Sequence, residues 1–233
     1  MRKVIASAVA GLALGAMSAV SAVDIGAGIM GSFSSDFGGG ITLEMPAEFG
    51  GRLDQRHGWV GGGFKAFLDV TYAEISVGTT FGGGTVEMDN PAASEPGQPK
   101  TMKGDEFNFI ALNLGLLGKF PIELSDNMVL FPAVGIDYQY VLSGGLAVFE
   151  GTGKPSDNSA IWFKFGAGMD IALTEKMFFR STLLYGIRLA NELEKDAVDL
   201  IPAIMWALFD LDMTADTRLG HGLTVNLGIG FKF

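Results

Sequence analysis

The chain has 233 residues, with 16 basic against 26 acidic side chains, a net charge of −10 and no cysteine. So acidic a chain is a poor partner for nucleic acid, and without cysteine neither disulfides nor thiolate metal sites can form. Nearly half of the residues (48%) are hydrophobic, which for so acidic a chain leaves two homes, a very apolar soluble core or a membrane.

The first residues read as an export address. Arg2 and Lys3 form a positive start, Val4 to Met17 is an almost uncharged run, and Val20-Ser21-Ala22 supplies small residues at cleavage positions. This predicts a signal peptide over 1–22 and a single domain over 23–233. Its removal takes away two cations and no acid, leaving 14 basic against 26 acidic residues, or −12. Beyond it no apolar stretch approaches the roughly 18 residues that a membrane helix needs.

From there period-two alternation dominates, the mark of strands with two distinct faces. The apolar side is odd in Ile25, Ala27, Ile29, Gly31 and Phe33, and even in Phe64, Ala66, Leu68 and Val70. It is odd again in Ala73, Ile75, Val77, Thr79 and Phe81. A parity switch at Thr71-Tyr72 with no insertion requires a tight hairpin, since a one-residue slip would turn the whole face over. Then come Ile110 to Leu116, a short break at 121–127, and Pro132 to Tyr140. The chain continues through Ile161 to Ile171, a turn near 174–176, Phe179 to Leu189, and finally Leu223 to Phe233. That makes eight strands. The links near 35–58, 82–105, 142–159 and 190–220 read as long loops, and those near 71, 121–127 and 173–176 as short turns. Long loops on one rim and short turns on the other is the layout of a transmembrane antiparallel up-and-down β-barrel, all-β, with the long loops extracellular and the turns periplasmic. Pro132 cannot donate to a ladder and is expected near the periplasmic end of its strand.

The second face decides between barrel and soluble sandwich. In the same registers it carries Lys65, Asp69, Glu74, Asp137, Lys164, Asp170, Arg180, Arg188 and Lys232, with Asn113, Gln139, Thr224 and small Gly228 and Gly230 among them. A charge on the lipid face would cost roughly 2–4 kcal/mol at mid-membrane, and the apolar face has none. An eight-stranded interior is just wide enough to be filled by side chains. Five cations against four anions predict a lumen closed by a salt-bridge network. Tyr72, Phe131, Tyr140, Phe231 and Phe233 are expected in interfacial girdles.

The last strand, Leu223-Thr-Val-Asn-Leu-Gly-Ile-Gly-Phe-Lys-Phe233, resembles the closing strand of bacterial outer-membrane proteins. The domain as a whole resembles the small eight-stranded families, such as the OmpA transmembrane domain, OmpX and OmpW. The segments Phe67-Leu-Asp-Val-Thr-Tyr-Ala-Glu-Ile-Ser-Val-Gly78 and Phe131-Pro-Ala-Val-Gly-Ile-Asp-Tyr138 are similar to spirochaete-type members. The resemblance implies a location in the cell outer membrane and contact with its lipid. It also implies an assembly signal, Phe231 and Phe233, read by the barrel-assembly machinery. Such families differ widely in function.

No catalytic constellation, cofactor site or metal site is expected. His57 and His221 read as ordinary loop histidines, and a rim site from Asp36, Asp54 and His57 has no spacing behind it. Gly151-Thr-Gly-Lys-Pro155 has Pro where a phosphate loop needs Ser or Thr. The acidic residues Glu87, Asp89, Glu95, Asp105 and Glu106 match no calcium loop. One apolar stretch, Leu200 to Phe209, interrupts the strand pattern with helical spacing. Ile204 and Trp206 within it are candidates for an apolar entry. The expected function is therefore structural or surface-interacting and not enzymatic, by a monomer whose extracellular loops meet an extracellular ligand or host molecule. The alternative is a narrow porin or OmpW-like transporter for small or apolar solutes.

Overall fold

The structure, a computed structural model, describes residues 25–44, 46, 52–89, 101–145, 154–189, 202 and 214–233. Its strands in chain order are β1 Ile25–Glu44, β2 Arg52–Val70, β3 Ala73–Asp89, β4 Thr101–Lys119, β5 Ile122–Ser125, β6 Met128–Gly144, β7 Ala160–Ala172, β8 Met177–Arg188, β9 Thr214–Arg218 and β10 Gly220–Lys232. All but β5 and β9 pair antiparallel with their neighbours in a ring of eight, which β1 and β10 close from Gly26↔Lys232 to Phe37↔His221. At the seam the Phe233 amide donates to the Ile25 carbonyl at 3.0 Å. Closure satisfies every ladder within the ring and leaves no edge, the condition for strands to cross hydrocarbon.

The alternation in sequence becomes alternation across the wall. Ile29 and Phe64 stand outside, 71% and 74% exposed, while Glu74 and Arg180 lie inside at 2% and 1%. Outward apolar residues continue round the wall through Ile75, Leu114, Ile136, Phe163, Leu183 and Ile229. Among the described residues no helix is long and apolar enough to cross a membrane; strands make the crossing.

The short links hold as expected. Thr71-Tyr72 turns β2 into β3, with Thr71 at φ +45°. Residues 173–176 join β7 to β8, and β5 pairs with the start of β6. Pro132 pairs with Ala167 near the start of β6, at the short-turn end.

Two of the expected long loops are largely strand. β1 and β2 stay paired out to Glu44↔Arg52, and β3 and β4 out to Asp89↔Thr101. About 10 residues suffice for a tilted strand to cross a bilayer, so β1–β4, at 17 to 20 residues, continue well beyond the outward apolar belt. Bulges at Asp36/Gly39 and Thr85/Glu87 shift parity there. Bulges bend a strand and re-aim its side chains, which disguised these stretches as loops. β9 adds to the outer edge of β1, from Gly40↔Arg218 to Glu44↔Thr214. β7, β8 and β10 have 12 or 13 residues, so among the described strands β1–β4 are longer than these.

Candidate functional site in the barrel lumen

The interior is built in layers, each set by side chains at matching heights on facing strands. At the periplasmic end Arg180 of β8 donates from Nε to Asp170 Oδ1 at 2.7 Å, from Nη1 to Glu74 Oε2 at 2.6 Å, and from Nη2 to Asp170 Oδ2 at 2.5 Å and to Asp69 Oδ2. Lys119 donates to Asp69 at 2.6 Å. The guanidinium is also packed among Phe67, Phe178 and Phe131, with 4.8, 5.0 and 5.2 Å to the ring centroids. Inward glycines make room for these rings: a Cβ on Gly230 would lie 2.2 Å from Phe178 Cζ, and one on Gly168 would lie 2.3 Å from the Phe131 ring.

One layer up, Lys65 and Lys164 both donate to Asp137 Oδ2, at 3.0 and 2.8 Å. This layer holds two cations and one anion; the layer below holds two cations (Arg180, Lys119) and three anions (Asp69, Glu74, Asp170). Together they balance. Neutral closure is what buried charge in so narrow a tube requires, because an uncompensated ion there costs several kcal/mol. The two chambers beside these layers, lined by residues such as Lys65, Thr80 and Asn113 above and Glu74, Ser76 and Asn226 below, have room for about one water each.

Above them Trp162 Nε1 donates to Gln139 Oε1 at 3.1 Å, and Trp59 meets Trp162 edge-on at 6.2 Å. At the mouth Arg188 donates from Nε to Asp36 Oδ2 at 2.7 Å and from Nη2 to His57 Nε2 at 2.8 Å. An arginine can only donate, so His57 accepts at Nε2 and carries its proton on Nδ1. These groups line a small pocket of about 40 Å³, together with Trp59, Phe107, Phe109, Val141 and Asn158. On the outer side of the β1–β2 ribbon, Asp54 binds Thr42, Arg52, Arg56 and Arg218. Burial pushes its carboxyl up, but the Thr42 hydroxyl and the three guanidinium groups outweigh that and hold it at about 2.

Several expectations need correction. Lys232 keeps the inward parity but sits exposed at the periplasmic opening, outside the ion-pair layers, because β10 ends there. Phe131 is not a girdle residue: it is 1% exposed and fills the lumen beside Arg180. His57 is no surface loop histidine but a buried lumen residue of β2. Arg188 pairs at the mouth, apart from the lower layers. Phe231 and Phe233 are outward and exposed. Ile204 and Trp206, with most of 200–209, lie outside the described residues, as do the signal segment 1–22 and Gly151 to Gly153. Among the described residues no group of His, Asp and Glu could hold a metal ion. Lys119 and Asp36 were missed, although inward parity carried two residues further along β4 and β1 reaches both.

A closed ring of eight antiparallel strands, apolar outside and filled inside by ion pairs, is the construction of outer-membrane barrels. The chain is a closed antiparallel β-barrel of eight strands with an apolar outer wall.

No family model matches the chain and no curated protein is found similar to it. Among solved structures it is similar to the outer membrane protein OprG from Pseudomonas aeruginosa, at 12% identity over 91% of this chain and 96% of that one, TM-score 0.44. It is also similar to the Escherichia coli outer membrane protease OmpT, at 12% over 93% and 100%, TM-score 0.37. A third is Ail, the attachment invasion locus protein of Yersinia pestis, at 13% over 90% and 99%, TM-score 0.32.

Proposed function

We propose that this protein is a surface-interaction barrel whose lumen is a structural plug and whose working surface is the extracellular mouth with the long β1–β4 wall. The observation that carries the reading is the Arg180 layer. A guanidinium bound to three carboxylates and enclosed by three aromatic rings supports a lumen closed at that height. The reading is non-enzymatic: His57, the buried histidine at the mouth, has its Nε2 lone pair engaged by Arg188, and so lacks the free ring nitrogen that a general base offers its substrate. Residues 1–22 serve in this reading as the export signal, and Phe231 and Phe233 as the handle for assembly.

The test is single-channel conductance of the purified protein in planar bilayers. Silence from a folded barrel is expected. Discrete, reproducible current steps would overturn the plug and put a narrow porin or transporter in its place.

A further inference from the structure

Beyond the mouth, the paired ends of β1, β2, β3 and β9 form a sheet with two unlike faces. Gly39 points inward, since a Cβ there would lie 3.1 Å from His57 Nε2, and side chains alternate from it. Ile41 and Leu43 of β1 therefore share the inner side with their partners Gln55 and Leu53 of β2 and Thr217 and Ala215 of β9. Val86 and Met88 of β3, opposite His57 and Gln55, continue it. These eight residues carry no charge, whereas the outer side carries Glu44, Arg52, Asp54, Arg56, Asp216 and Arg218.

A sheet with one apolar face is stable only when that face is packed against something. Here it is: Ile41 and Val86 are each 4% exposed, and Leu43, Leu53, Met88 and Ala215 are half-buried. Neighbours within one sheet shield a side chain at its flanks, so burial this deep needs a cover over the tips.

We infer that the cover is the chain's own segment 200–209, docked on this face as a short apolar helix. Ten residues without a charge match a face without a charge. Pro202 is helical and half-buried. In a helix through it, Ile201, Ile204, Met205 and Leu208 fall on one side and Trp206 on the other. Ten helical residues are about 15 Å long, and four strands about 4.8 Å apart are about 14 Å across. The tether also fits. The chain rejoins the sheet at Thr214, paired with Glu44 at the end of β1. Five Cα steps from Phe209 reach at most about 17 Å, so the segment is held beside this face at a high effective concentration. Ile204 is then occupied by the sheet and is no entry for apolar solutes. The charged outer side is what this sheet leaves to partners. The docking stands whether or not the lumen conducts.

The chain has no cysteine, so engineered pairs report contact directly. In the full chain, refolded in detergent and in lipid vesicles, Ile204→Cys is combined with Leu43→Cys or Met88→Cys on the inner side. Controls combine it with Arg52→Cys or Glu87→Cys on the outer side, and Trp206→Cys repeats the series. Heat-modifiable migration on gels shows which variants are folded, and mass spectrometry after mild oxidation separates disulfides within one chain from those between two. Ile204→Cys is expected to close within the chain to an inner position about tenfold more than to either outer one, since effective concentration falls steeply where the tether cannot align the groups. Trp206→Cys is expected to close less at the same inner positions. The unaltered chain gives a second readout that no folding defect can mask: peroxide is expected to oxidise Met205 several-fold more slowly than Met102, which is 42% exposed. Equal disulfide yields on both sides, disulfides between chains only, or Met205 oxidised as fast as Met102 would overturn the docking.

Discussion

Replacing Arg180 with methionine keeps most of the side chain's length and apolar body but removes four N–H···O contacts to Asp170, Glu74 and Asp69. Asp69 keeps Lys119 at 2.6 Å. Glu74 and Asp170 lose the one cation that each is paired with, so the layer goes from two cations against three anions to one against three. Summing charge-assisted bonds at about 1.5–3 kcal/mol apiece would overshoot, because the four share one donor group and one desolvation. Removal of one partner from a buried ion pair destabilises by about 3–5 kcal/mol, and with Arg180 at 1% exposure little water can enter to soften that. Arg180→Met is therefore expected to lower the unfolding free energy by about 3–5 kcal/mol. The measurement is reversible urea unfolding in lipid vesicles, followed by tryptophan emission. Adding Glu74→Gln and Asp170→Asn to Arg180→Met is expected to recover at least half of the loss, since no uncompensated charge then remains in the layer. A loss below about 1 kcal/mol, the size of an exposed pair, would refute the buried network. A full loss that the triple variant does not recover would make it a matter of packing, not charge.

Other outcomes follow from the same coordinates. Gly230→Val drives a side chain into the Phe178 ring, where even a Cβ would be 2.2 Å away; overpacking of this kind costs about 1–3 kcal/mol, and a urea midpoint unchanged from the parent would count against the aromatic plug. Asp54, held at about 2 against an ordinary 3.8, contributes stability that is fully present above pH 3.8 and lost as pH falls through 2. Amide exchange at Thr42 and Leu43 is then expected to stay slow at pH 5 and rise toward pH 2; Asp54→Asn should make it fast at both, and exchange in the variant as slow as in the parent would refute the ribbon clamp. Phe233 is 85% exposed, so Phe233→Ser is expected to lower the amount of protein in the outer membrane while leaving the unfolding midpoint of the refolded barrel unaltered. An equal fall in both would make Phe233 a structural residue instead of an assembly handle.

Period-two patterning alone determined that this chain forms strands, how many close the ring, where the short turns fall and which face meets lipid. The reason is local: side chains on a strand alternate, so the solvent on each side of the wall is written into successive residues. The same parity carried Lys65, Asp69, Glu74, Asp137, Lys164 and Arg180 to the inside. It failed where alternation breaks or where a strand stops. The bulges at Asp36/Gly39 and Thr85/Glu87 made paired ribbon read as loop, so Asp36 and His57 were left out of the lumen although both lie on the inward parity of β1 and β2. The end of β10 left Lys232 in the opening despite its correct face. Partnership was beyond the sequence altogether. Arg180 meets Glu74 across 106 residues and Asp69 across 111, and Arg188 meets Asp36 across 152. Which inward charges share a height depends on strand tilt and stagger round a closed barrel, and those belong to the ring as a whole. Tertiary structure alone therefore decided that the lumen divides into two charged layers beneath a mouth where Arg188 meets Asp36.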